Sequence, residues 1–291
     1  MKKKSSFSTQ GQRADIGDLE IYRILANRYA DAVGPFVFLD HIVPKIQTKI
    51  NKKGTGAHPH RGIATLTYIL NGEDEHFDSH GNYAMVHSGG VQWMSAGNGI
   101  IHDETLNYDS KTDSKLTHAF QFWINLPSKF KGEKSSYLAI EGNDVPFKTL
   151  PDGKSWIKVI AGSFEELSSA IPNYSDQFLY HIHLEPGASF QTEFAAETEV
   201  AVYLPVMPAF LNDERFHSGD FIEFDRIAGT LELRHENQEA CDFLLFGGAH
   251  YQEPIFAEGP FIMNSALEIA NAYKDFYNGD YGKIDYDKHK N

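Results

Sequence analysis

The stretch His58-Pro59-His60-Arg61-Gly62-Ile63-Ala64-Thr65-Leu66-Thr67-Tyr68-Ile69-Leu70-Asn71-Gly72 carries two signals, one for fold and one for chemistry. Thr65–Leu70 is rich in β-branched and aromatic residues and runs into Asn71-Gly72, the dipeptide of a type I′ turn, so a strand followed by a hairpin is expected here. Just ahead of it stand two histidines two positions apart. In extended backbone residues i and i+2 share a face, so His58 and His60 project together while Pro59 and Arg61 point the other way.

Outward from this stretch the same texture repeats. Short β-branched and aromatic runs, broken by Gly, Asn, Asp and Pro about every 8–12 residues, read as a closed or double-sheet β architecture. Strands are expected at Tyr83–His87, Gln92–Ser95, Thr117–Leu126, Ile157–Ala161, Phe178–Leu184, Glu199–Leu204, Asp220–Phe224, Gly229–Leu233 and Asp242–Phe246. One helix is expected near the end: Ser265-Ala266-Leu267-Glu268 has capping-box spacing, Ile269, Ala272, Tyr273 and Phe276 share a face, and Gly279 is a stop. His181-Ile182-His183 with Glu185-Pro186-Gly187 weakly echoes the first half, which makes a duplicated β-barrel the economical reading. The stretch from Lys129 to Asp152 is the expected connection, giving a lobe over 1–135 and a second over 136–291 that ends in the helix.

Composition narrows the function classes. The 291 residues are 41% hydrophobic, enough to bury a sizeable core, and 26 Lys+Arg against 40 Asp+Glu give a formal charge of -14 at pH 7. That sign argues against direct nucleic-acid binding. Through residue 145 the counts are 16 basic and 16 acidic, leaving 10 and 24 for the rest, so the net negative charge lies in the second half. Cys241, the single cysteine, has no partner for an intramolecular disulfide, and no apolar run approaches the roughly 20 residues of a membrane span. A cytoplasmic protein is the expectation, with no membrane association. The initial Met1-Lys2-Lys3-Lys4 reads as a solubilising terminus.

The chemistry gathers in two segments, His58–His60 and Gly97-Asn98-Gly99-Ile100-Ile101-His102-Asp103-Glu104. His102 and Glu104 share a strand face for the same reason as His58 and His60. Two neighbouring strands that each offer two donors can surround a metal ion with three imidazoles and a carboxylate. Imidazole suits Fe, Cu, Ni and Zn alike, so the donors leave the metal open. His118 would lie on one face with Phe120, Phe122 and Ile124, either near the site or in the core. His76, His80 and His87 read as exposed or locally bonded. His181 and His183 have ligand spacing but no His-x-Glu follows them, and His217 and His235 are candidate partners in that half. Cys241 reads as a buried small hydrophobe. Neither a nucleophile elbow, a Walker loop nor a dinucleotide fingerprint occurs.

These segments resemble the pirin family of the cupin superfamily. The resemblance runs through Val33-Gly34-Pro35-Phe36, Leu39-Asp40-His41, His58-Pro59-His60-Arg61-Gly62, Val91-Gln92-Trp93-Met94-Ser95-Ala96-Gly97, Phe122-Trp123-Ile124-Asn125-Leu126-Pro127, Glu253-Pro254 and Gly259-Pro260-Phe261-Ile262-Met263-Asn264. It implies an all-β bicupin: two double-stranded β-helix lobes with metal in the first. The ligands would be His58, His60, His102 and Glu104, and the metal Fe(II), with Zn, Ni, Cu, Mn and Co as other divalent ions such donors take. Bacterial members resemble quercetin 2,3-dioxygenases, which implies a flavonol substrate, O₂, release of carbon monoxide, and Glu104 as ligand and base. The family also includes regulators, which implies as the alternative a metal-dependent or redox-sensing protein that binds a protein partner. Two positions depart from the family pattern: Ala64 where many relatives carry glutamate, and Gly90 where they often carry aspartate.

Overall fold

The computed structural model describes residues 1–26 and 30–288. Among them the chain is built from strands, apart from a short 3-10 turn at Ser128–Phe130 and one helix, Ala266–Asn278. No helix among the described residues is long and apolar enough to cross a membrane. Two compact units result, and both are discontinuous in sequence. One, the site unit, comprises Ala14–Tyr22, Leu39–Asp144 and Gln252–Asn291; the companion unit comprises Met1–Arg13, Arg23–Phe38 and Val145–Tyr251. The division therefore differs from a single cut at 135/136. The strand Ser5–Gln10 pairs with Asp220–Phe224 in the companion unit, and the C-terminal helix packs within the site unit.

In the site unit a four-stranded sheet has the order His58–His60, Ile100–Asn107, Glu73–Asp78, Tyr83–His87. A second sheet places Ser136–Ile140, Val91–Ser95, Ile63–Asn71, Leu116–Asn125 and Phe36–Ile46 side by side. Ile63–Asn71 and Glu73–Asp78 thus lie in different sheets, and Asn71-Gly72 is a corner between them rather than the expected hairpin. The reason is that both edges of Ile63–Asn71 are already taken, by Val91–Ser95 and Leu116–Asn125. Gly72 has φ +119°, and a Cβ there would come within 2.5 Å of the Asn107 carbonyl oxygen, so the corner requires glycine.

The companion unit repeats the plan, with a seven-stranded sheet from Ser5–Gln10 to Phe147–Thr149 and a four-stranded sheet of Ser189–Phe194, Gly229–Arg234, Ala209–Leu211 and Glu214–Phe216. Ile157, Ile182, Val202, Leu231, Phe243 and Leu245 fill its core. Burying each such side chain stabilises the fold by about 1.5–3 kcal/mol before entropy is counted. Cys241 belongs to this core, and burial pushes its thiol up to about 12.

The expected helix forms with its expected caps. Ser265 Oγ accepts the Glu268 N–H, Glu268 Oε2 accepts the Asn264 N–H, and Gly279 closes the end at φ +83°. Ile269 and Ala272 bury against Phe261, Met263 and Tyr281. Arg61, pointing away from its flanking histidine as strand alternation demands, binds Asp275 on this helix at 2.6 Å.

Candidate metal centre

The alternation of Ile100–Asn107 buries Ile100, His102, Glu104 and Leu106, and that of Glu73–Asp78 buries Asp74, His76 and Asp78. Both inner faces meet because the strands pair antiparallel, with His102 opposite Asp78 and Glu104 opposite His76. On the other edge of Ile100–Asn107, His58 stands opposite His102 and His60 opposite Ile100. The local sequence therefore places His58, His102 and Asp78 in one row across three strands, with Glu104 and His76 in the next.

Three imidazoles converge there. His58 Nε2 and His102 Nε2 are 3.0 Å apart, and donor atoms of His58, His60 and His102 all lie within 4.8 Å of one another. The second nitrogens set the tautomers: His58 Nδ1 lies 2.7 Å from the Gly56 carbonyl and His60 Nδ1 3.1 Å from that of Pro260. A carbonyl only accepts, so each Nδ1 carries the proton and each Nε2 presents a lone pair. His60 Nε2 is buried with no protein partner. Burial, then the neighbouring His58, pushes His60 down to about 3, and burial with the same neighbour keeps His102 well below its ordinary value. Imidazole nitrogens gathered this closely, with His60 Nε2 unpartnered and His60 and His102 biased toward the neutral form, are donors a divalent cation can take up, so these residues fit such an ion.

Glu104 is buried at the edge of this cluster. Its Oε1 accepts from Thr67 Oγ1 at 3.1 Å and its Oε2 from Gln121 Nε2 at 2.7 Å. The four expected donors are brought together as two overlapping triads that share His102, namely His58, His60 and His102, and His76, His102 and Glu104. His76 corrects the reading as exposed or merely locally bonded: its Nε2 contacts Asp78 Oδ2 at 3.3 Å, but the residue is 1% exposed and belongs to the cluster. The period-2 pattern Asp74, His76, Asp78 after Gly72 carried that signal. His80 bonds Ser135, and His87 bonds Glu141 at 3.0 Å.

The sequence patterns assign no site role to Thr67, Gln121 or Trp123, yet all three reach the cluster. Along Leu116–Asn125, Gln121 reaches Glu104 and Trp123 meets the His60 ring edge-on at 4.9 Å, so the odd-numbered residues face the site. His118 lies on the opposite face, where its Nε2 meets His41 Nε2 at 2.8 Å beside Phe120, and its place is in the core. The same alternation resolves the departure at Ala64. Thr67 faces Glu104, so position 64 faces away from it, in a fully buried layer. Gly90 has a steric cause: a Cβ would stand 2.5 Å from Val86 Cγ1 and 2.7 Å from the Ile140 carbonyl oxygen.

Glu104, Thr67, Gln121 and Asp74 line a cleft together with Ile42 and Leu106. Burial, then the charge of Glu104, raises the Asp74 carboxyl far above the usual carboxylate range, and Gln92 Nε2 donates to it at 3.0 Å. In the companion unit, His181 Nε2 and His183 Nδ1 both meet one oxygen, Asp242 Oδ1, at 2.9 and 2.7 Å. His217 is exposed, and His235 Nε2 turns to the Leu184 and Glu185 carbonyls.

Comparison with known proteins agrees with this construction. Residues 19–124 match the Pirin family and residues 179–282 the Pirin C-terminal cupin domain. A Pseudomonas aeruginosa protein named "Putative quercetin 2,3-dioxygenase" is 31% identical over 282 residues, covering 96% of this chain and 98% of that protein. A pirin-like protein of Caulobacter vibrioides is 35% identical over 276 residues, 92% of this chain and 91% of the relative. The crystal structure of a quercetin 2,3-dioxygenase from Acinetobacter baumannii superposes with a TM-score of 0.88 at 30% identity, covering 98% of this chain and 100% of that one. With both family regions matched in order and two β-sheet units beneath them, the chain belongs to the pirin family and has its two-domain cupin-type fold.

Proposed function

We propose that the chain is a metal-dependent flavonol 2,3-dioxygenase, acting on quercetin or a related flavonol, with His58, His60, His102 and Glu104 as the metal ligands. The observation that carries this reading is the convergence of three imidazoles beside a carboxylate that opens onto a cleft. The similarity to an Acinetobacter baumannii quercetin 2,3-dioxygenase supports the substrate class. When bound, a divalent ion such as Fe(II) supplies a Lewis-acid position and the one-electron chemistry that O₂ requires.

The chain supplies the rest. Glu104, fixed by Thr67 and Gln121 on the cleft wall, takes the flavonol 3-hydroxyl proton, and its fixed orientation removes the need to reorganise during that transfer. Ile42 and Leu106 offer apolar surface to the aromatic rings. Both atoms of O₂ enter the ring-opened ester, and the ring carbon that bore the hydroxyl leaves as carbon monoxide. Oxygen uptake by iron-loaded protein with a flavonol panel tests the proposal, with carbon monoxide trapped in parallel. Uptake matched by flavonol bleaching is expected. If no flavonol is bleached and no oxygen consumed, the enzyme reading falls and the metal-dependent regulatory reading takes its place.

A further inference from the structure

We propose that His76 is a positioning residue: it accepts the Nδ1 proton of His102 and so holds the His102 Nε2 lone pair toward the ion, while Asp78 holds His76. This rests on the reading of His58, His60 and His102 as metal ligands and adds a residue outside the expected four.

The argument follows the protons from the outside inward. Asp78 is held by three N–H groups: Oδ1 accepts from the His80 and Asn82 backbones at 2.9 and 3.0 Å, and Oδ2 from Asn82 Nδ2 at 2.7 Å. That same Oδ2 faces His76 Nε2 at 3.3 Å. A carboxylate accepts, so the His76 proton sits on Nε2 and Nδ1 keeps a lone pair. The Tyr137 ring stacks on His76 with centroids 4.2 Å apart and planes 14° apart, which fixes the orientation of the imidazole.

From the other direction, His58 Nδ1 is committed to the Gly56 carbonyl, so His58 Nε2 and the facing His102 Nε2 can both serve an ion only if His102 is protonated at Nδ1. His102 Nδ1 is buried and without a protein partner, and so is His76 Nδ1. One of these atoms has a proton to give and the other a lone pair to receive it, on rings whose centroids are 5.6 Å apart. Closer approach of the rings, or one bridging water, completes the chain Asp78, His76, His102. A metal-bound histidine is ordinarily oriented by an acceptor on its second nitrogen, and here a second histidine fills that place.

Zn(II) alone is the probe. Its affinity is measured by chelator competition for the wild type and for His76→Leu, His76→Asn and His58→Ala/His60→Ala, each checked for folding by circular dichroism. His76→Leu is expected to weaken binding about 10- to 100-fold. His76→Asn, whose Oδ1 stands near the position of Nδ1, is expected to recover most of that loss. Wild-type affinity in folded His76→Leu, or equal loss in Leu and Asn, overturns the proposal and leaves His76 a packing residue. Histidine ¹⁵N spectra of the wild-type Zn(II) protein give a reading that needs no variant: Nδ1-protonated His102 with Nε2-protonated His76 is expected, and Nδ1-protonated His76 overturns it. The ligand assignment fails separately, if His58→Ala/His60→Ala binds Zn(II) as the wild type does.

Discussion

Gln121 Nε2 donates to Glu104 Oε2 across 2.7 Å, and also lies 3.3 Å from Thr67 Oγ1, which donates to the other Glu104 oxygen. The carboxylate is thus held from two adjacent strands of the facing sheet. Replacing Gln121 with leucine leaves a 6% exposed carboxylate with one acceptor oxygen unmet. The expected cost is about 1–3 kcal/mol of stability and roughly 10-fold in metal affinity. Urea unfolding of apo-protein and Zn(II) competition read the two effects separately.

The companion unit carries its own polar cluster, whose pH dependence has a definite sign. Burial alone would raise Asp242, but hydrogen bonds from His181 and His183 outweigh it and hold the carboxyl well below the usual range; the bond to Asp242 raises His183. The Asp242 contribution is present above pH about 4 and lost as pH falls through its lowered value. The His183 contribution is complete below pH about 6.5 and lost as pH rises through its raised value. The pair therefore stabilises most between those limits. Asp242→Asn should lower stability at pH 5–6 by about 1–3 kcal/mol and flatten the decline between pH 6 and 8, as urea midpoints across pH will show.

The C-terminal helix depends on its cap. Ser265→Ala removes the acceptor of the Glu268 N–H and should cost about 0.5–2 kcal/mol, visible as a lower thermal midpoint.

Restoring glutamate at position 64 would place a carboxylate in a fully buried layer on the side of the strand away from Glu104. Ala64→Glu should therefore destabilise the fold by several kcal/mol without raising metal affinity. Thermal unfolding alongside Zn(II) competition checks both halves of that expectation.

Much of this was legible in the sequence, because strand alternation needs only neighbours: His58 with His60, His102 with Glu104, and the caps of the helix are local patterns. What escaped depends on which strands become neighbours. His76 joins the cluster only because Glu73–Asp78 pairs with Ile100–Asn107, and Gln121 reaches Glu104 only because Leu116–Asn125 lies beside Ile63–Asn71. Asn71-Gly72 has the chemistry of a hairpin but serves as a corner, since both edges of its strand were already paired. His118 shared a face with Phe120 as the spacing indicated, yet that face turns away from Glu104, a choice local periodicity does not make.

Metal stoichiometry in purified protein tests the central claim most directly. Elemental analysis should find one divalent ion per wild-type chain, none in His58→Ala/His60→Ala, and one in His181→Ala/His183→Ala, whose nitrogens converge on Asp242 rather than on a shared open position. Full occupancy in the His58→Ala/His60→Ala protein would contradict the account.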